Sequence, residues 1–88
     1  MKKVEIYTVD YCPYCIKAKE VLNEKQIPYK EIDITEDEDI YRQKLGEIYK
    51  IEGKVTVPQI IIGGHRIGGL DSLEDLIAKN ELDKLLTD

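Results

Sequence analysis

The residues of this chain best suited to chemistry are Cys12 and Cys15, its only two cysteines, in the run Tyr11-Cys12-Pro13-Tyr14-Cys15. Context decides what such a pair does. A short alternating run, Val4-Glu5-Ile6-Tyr7-Thr8, precedes it, and a helical pattern, Ile16-Lys17-Ala18-Lys19-Glu20-Val21-Leu22, follows it. Strand, Cys-X-X-Cys and helix together read as a thiol–disulfide redox centre. At the start of a helix, unpaired backbone N–H groups and the positive end of the helix dipole favour a thiolate. That makes Cys12 the attacking thiol. Cys15 lies one turn further in, partly buried and within disulfide reach, which makes it the resolving thiol. Pro13 suits the first helical position, where its missing N–H costs no intrahelical bond.

The flanking elements follow from pattern. Val4–Thr8 reads as a strand, and Pro13–Lys25 as a helix whose Cys15, Ala18 and Leu22 stripe, with Val21 beside it, faces a sheet. Ile27-Pro28 stops that helix, because the residue before a proline is pushed out of the helical region. Tyr29–Ile34 reads as a second strand, parallel to the first through a right-handed crossover. Thr35 and Glu38 match a capping box for a second helix running to about Tyr49, with Tyr41, Leu45 and Ile48 inward. Gln59–Ile62, Gly63-Gly64 and His65–Ile67 form a hairpin. The unbroken Ile60–Ile62 run predicts a strand covered on both faces. Asp71 or Ser72 caps a third helix carrying Leu73, Leu76 and Ile77. Asn80 punctuates before a last turn or two with Leu82, Leu85 and Leu86. The order is β-α-β-α-β-β-α, without repeats, linkers or low-complexity segments.

Composition bounds the class. Eighty-eight residues predict a single domain over 1–88 with one modest core. The formal charge of −5 and a pI near 4.9 argue against nucleic acid and anionic membranes as partners; the acid excess serves solubility or tunes which protein substrates approach. No apolar run approaches the ~20 residues of a membrane span, and nothing resembles a signal peptide. A lone Cys-X-X-Cys is not a disulfide scaffold, so the expectation is a cytoplasmic protein with a transient disulfide.

Taken together, Cys12-Pro13-Tyr14-Cys15, Thr56-Val57-Pro58, and Gly68-Gly69 followed by Asp71 identify the chain as similar to the glutaredoxins over essentially its whole length. The resemblance implies a thioredoxin-like α/β fold, a four-stranded mixed sheet flanked by helices. It implies glutathione-dependent thiol–disulfide exchange on protein disulfides and glutathione mixed disulfides, with glutathione as co-substrate and no permanently bound cofactor. By motif position Tyr14, Thr56, Val57 and Pro58 would line the glutathione groove. The Val57 backbone would pair with the cysteinyl main chain, Pro58 would be cis, and Gly69, Leu70 and Asp71 would hold the γ-glutamyl end. A tripeptide laid against an exposed backbone edge is bound as a short added strand. Partners would be glutathione and disulfide-containing or glutathionylated proteins, and the chain would be a monomer.

Two positions depart from the pattern. Val9 and Val55 stand where glutaredoxins usually carry basic residues facing the glycyl carboxylate, which leaves Lys54, Lys50 or Gln59 as substitutes. Two other readings remain open. One is a redoxin fed by thioredoxin reductase; the other is a dimer bridged by an iron–sulfur cluster, which proline after the first Cys disfavours in the family. Some relatives also place selenocysteine at the position of Cys12. Zinc would want four protein ligands, and the chain offers Cys12, Cys15 and a turn residue, His65.

Overall fold

A computed structural model describes residues 1–88. Its elements are β1 (Val4–Thr8), α1 (Pro13–Glu24), β2 (Lys30–Asp33), α2 (Glu38–Tyr49), β3 (Gln59–Ile62), β4 (His65–Gly68), α3 (Leu70–Ala78) and α4 (Leu82–Leu86). The strands form one four-stranded sheet in the order β2-β1-β3-β4. β1 runs parallel to β2 and antiparallel to β3, and β4 returns antiparallel to β3. This is the thioredoxin-like arrangement that the motifs imply.

Burial follows the pleat. Val4, Ile6, Ile60 and Ile62 point to one face, where they meet Ala18 and Leu22 of α1, Leu73 of α3, and Leu82 and Leu86 of α4. Ile61 points to the other face and is equally buried, so all four residues of β3 are covered, as the Ile60–Ile62 run predicts. On that second face Tyr41 of α2 lies 6.4 Å from Tyr7, ring centroid to centroid. A smaller cluster of Val9, Cys12, Cys15 and Ile34 fills the end of the sheet where β1 gives way to α1. The hairpin turns on Gly63 and Gly64 with φ of 57° and 82°. Left-handed values at both central positions are what a tight two-residue hairpin demands.

Three expectations need correction. The Thr35/Glu38 capping box does not form: Thr35–Asp37 is a 3-10 turn and no side chain caps α2. Thr35 instead donates its N–H and hydroxyl to Asp33 at 2.9 and 2.5 Å, while its hydroxyl oxygen accepts from the Asp10 N–H at 2.9 Å. Glu38 is likewise drawn off, by Tyr11 and Arg42. Neither Asp71 nor Ser72 caps α3, whose N-cap is Gly69. Ile48 is exposed, because α2 turns it outward while Leu45 points in.

Core and surface isoleucines should respond accordingly. Ile60 has no exposed area, so Ile60→Ala should lose about 2–5 kcal/mol through the cavity it leaves. Ile48, 67% exposed, should change stability by no more than about 0.5 kcal/mol on replacement by alanine. Urea unfolding of the two variants checks both.

Candidate functional site

The last residue before α1 is Cys12, in extended conformation with φ −104° and ψ 109°, and Pro13 opens the helix. The Cys12 sulfur accepts the Cys15 backbone N–H at 3.1 Å, so one of the helix's unpaired donors is aimed at it. On its other side the thiol lies 3.7 Å from the Val57 carbonyl, to which it donates. Both cysteines are free thiols. Cys12 keeps 8% of its surface exposed and Cys15 only 1%. Burial pushes the Cys15 thiol up to about 12, and its hydrogen bond with Cys12 adds to the rise.

Three side-chain links hold the loop that carries Cys12. The Asp10 N–H donates to Thr35. The Tyr11 hydroxyl donates to Glu38 at 2.5 Å, which raises the tyrosine and lowers the carboxylate from their ordinary values. Arg42 then donates to the same Glu38 oxygen at 2.6 and 3.0 Å and to the Val55 carbonyl. A continuous chain of polar contacts therefore joins the residue before Cys12 to the segment leading into Thr56. Between β1, β2 and α1, Glu31 accepts from Lys19 at 2.9 Å and from the buried Thr8 hydroxyl at 2.7 Å, and these two contacts hold its carboxyl below the usual range.

Beside this centre runs a groove of about 520 Å³. All seven residues expected to bind glutathione line it: Tyr14, Thr56, Val57, Pro58, Gly69, Leu70 and Asp71. The Val57–Pro58 bond is cis, as expected. Tyr14 is 67% exposed at the mouth. The Val57 N–H donates to no carbonyl of the chain. Gly68 has φ 118°, and a Cβ there would meet the Ser72 hydroxyl at 2.7 Å, so only glycine lets α3 come this close to β4.

Four further residues line the groove outside the expected set: Gln59, Arg66, Gly68 and Ser72. Of these, Arg66 was legible in principle. It sits two residues before Gly68 on β4, and strand alternation puts the pair on one face. Arg42 was less so, for the Glu38–Arg42 spacing predicts a helical ion pair but not a guanidinium on Val55. Val9 and Val55 are buried, 3% and 7% exposed, so neither position presents a side chain to a ligand. Arg42 nevertheless brings a cation to the Val55 carbonyl, one residue before Thr56. No group of three or more His, Cys, Asp or Glu side chains gathers as a metal site, and no helix is long and apolar enough to cross a membrane.

The glutaredoxin family model matches residues 4–67. Glutaredoxin 1 of Rickettsia conorii is 47% identical over 81 residues, covering 92% of this chain and 78% of that protein. Glutaredoxin 3 of Escherichia coli K12 is 44% identical over 86 residues, covering 98% and 99%. Among solved structures, a dithiolic glutaredoxin from Trypanosoma brucei brucei superposes with a TM-score of 0.83 at 32% identity, covering 98% of this chain and 88% of that one. A buckwheat glutaredoxin–glutathione complex superposes at 0.84 with 25% identity, covering 97% and 76%.

The Cys15 environment predicts a pH signature in stability. Below the ordinary thiol value of 9.0, folded and unfolded chains both keep this proton. Between there and about 12 only the unfolded chain has released it, so rising pH favours unfolding. Urea unfolding of the reduced protein should show the wild type losing its advantage over Cys15→Ala as pH climbs from about 9 toward 10.5. A constant gap would mean that burial does not hold that proton.

Proposed function

This chain belongs to the glutaredoxin family, and from that premise we propose that it is a thiol–disulfide oxidoreductase that draws its electrons from glutathione. The observation that carries the reading is the Cys12 sulfur held between the start of α1 and the Val57 carbonyl, next to a groove lined by all seven expected residues. The Val57 main chain, with its N–H unpaired, offers an edge to which the cysteinyl residue of glutathione adds as a strand. Gly69, Leu70 and Asp71 receive the γ-glutamyl end, the Asp71 carboxylate opposite the ammonium. The glycyl carboxylate faces the Thr56 end, where Arg42 stands in for the basic residues absent at positions 9 and 55.

The reaction follows from the two thiols. The Cys12 thiolate attacks one sulfur of a substrate disulfide, forming a mixed disulfide and releasing the other sulfur as thiolate. On a glutathionylated protein it attacks the glutathione sulfur and frees the protein thiol. A second glutathione thiolate then attacks that same glutathione sulfur and releases oxidised glutathione and Cys12. On a protein disulfide, Cys15 passes its proton to the departing substrate sulfur as it attacks the Cys12 sulfur, frees the reduced protein and leaves the Cys12–Cys15 disulfide, which two glutathiones reduce, leaving as oxidised glutathione. Burial keeps Cys15 protonated, so it does not compete with Cys12 for the incoming disulfide. The chemistry needs no resident cofactor. A monomer in the reducing cytoplasm, acting on disulfide-containing and glutathionylated proteins, is the setting in which this cycle runs.

Coupled assays test the donor and the roles together. With glutathione and glutathione reductase the protein should oxidise NADPH steadily in the presence of a mixed-disulfide substrate; with thioredoxin reductase alone it should not. Reversal of that pattern would overturn glutathione as donor. Cys12→Ser should abolish all turnover. Cys15→Ser should keep deglutathionylation and lose reduction of protein disulfides, and the opposite outcome would exchange the two roles.

A further inference from the structure

Three consecutive carbonyls, those of Val55, Thr56 and Val57, accept no backbone N–H of the chain. Side chains take all three instead. Arg42 of α2 donates to the first, Gln59 Nε2 to the second at 2.8 Å, and the Cys12 thiol to the third at 3.7 Å. Arg42 is held in turn. Its Nη2 and Nε donate to Glu38 Oε1 at 2.6 and 3.0 Å, and that oxygen also accepts the Tyr11 hydroxyl at 2.5 Å. Tyr11 is the neighbour of Cys12 in the chain. The contacts therefore close a ring, from Cys12 through Val57 to Val55, Arg42, Glu38 and Tyr11 and back to Cys12. One link differs from the rest. The Cys12 contact needs an S–H, so it exists only while that sulfur carries its proton, and it lapses when Cys12 bonds to Cys15 or to a substrate sulfur. The bridge of Tyr11, Glu38 and Arg42 contains no redox group and is open to neither change.

We propose that Glu38 is a positioning residue of the redox centre: by holding Tyr11 and Arg42 together it sets the Val57 carbonyl on the Cys12 thiol and so favours the reduced pair. Packing alone would not do this. Val57 lies against the cluster that contains Cys12, but apolar contact is non-directional, and a carbonyl must face a donor to accept from it. Two contacts that favour one placement of the same segment strengthen each other. Opening the bridge therefore weakens the thiol–carbonyl contact in the dithiol, and in the disulfide there is no such contact to weaken. The intact bridge makes the Cys12–Cys15 disulfide easier to reduce. The role rests on the thiol–disulfide exchange proposed above, and not on glutathione as the donor.

The test equilibrates oxidised wild type with reduced Tyr11→Phe, a trace of 2-mercaptoethanol carrying the exchange, and reads the dithiol and disulfide forms of each by alkylation and mass. In that equilibrium the Cys12–Cys15 bond of one protein breaks as that of the other forms, and two electrons and two protons pass between them. Tyr11→Phe removes only the hydroxyl of a residue 63% exposed and leaves the Glu38 charge in place. Its disulfide-to-dithiol ratio should exceed that of the wild type roughly 2- to 5-fold, the lower part of the range for one net hydrogen bond, which is a potential about 10–20 mV more negative. The hydroxyl acts only as part of the bridge. In Glu38→Ala, and separately in Arg42→Met, where the bridge is already open, adding Tyr11→Phe should bring no further shift. A purely structural role would lower the stability of both redox states and leave the ratio unmoved. Equal ratios, a ratio shifted toward the dithiol, or the same shift in the open-bridge backgrounds each overturn the role of Glu38, and the first two are read from Tyr11→Phe alone. If oxidation of the wild type yields no Cys12–Cys15 disulfide, the oxidoreductase reading falls and this role with it.

Discussion

The sulfur of Cys12 accepts the Cys15 N–H at 3.1 Å and lies 3.7 Å from the Val57 carbonyl. The second of these contacts ties the start of α1 to the segment that enters β3, stretches 45 residues apart in sequence. Nothing covalent holds them together. Their meeting depends on β1 and β3 being neighbours in the sheet, with Ile6 opposite Ile60, so that the ends of both strands emerge side by side. The apolar core under β1 and β3 is thus what gives the thiol its carbonyl neighbour, and the chemistry at the edge of the sheet rests on packing at its centre.

The polar side chains around Cys12 solve a different problem. The loop Val9–Tyr11 leaves the sheet before the helix begins, and a backbone there without ladder partners must find others. The Asp10 N–H finds Thr35, and the Tyr11 hydroxyl adds Glu38, two residues that the sequence pattern assigns to a capping box. Drawing them to the redox loop leaves α2 without a side-chain cap, a loss of roughly 0.5–2 kcal/mol when such a cap is removed from a helix. In exchange the loop is held at two points, and through Glu38 and Arg42 it is connected to Val55. Local capping gives way to long-range positioning, and it does so beside the thiol that must be placed.

That exchange explains what the sequence reveals and what it hides. Strands, the first helix, the hairpin and the groove residues are legible because each depends on a local rule: alternation, helical spacing, glycine in a tight turn, or a motif. The failures fall where a side chain has two possible partners and tertiary contacts choose between them. Thr35 and Glu38 go to the loop rather than the helix, and Gly69 takes the N-cap position of α3, where Gly68 lets Ser72 of that helix approach β4 and Gly69 lies against the Pro58 carbonyl. Arg42 and Arg66 escape for a related reason. A cation's spacing tells which face it is on, but only the fold tells that the face borders a groove.

Charge in the groove has a different scale from charge on the molecule. The chain carries −5 overall, yet Arg66 and Asp71 give its groove one cation and one anion. The overall acidity acts at longer range, on the approach of macromolecular partners, where like charges slow the encounter and opposite ones speed it. A protein disulfide flanked by basic residues would then be met sooner than one flanked by acids.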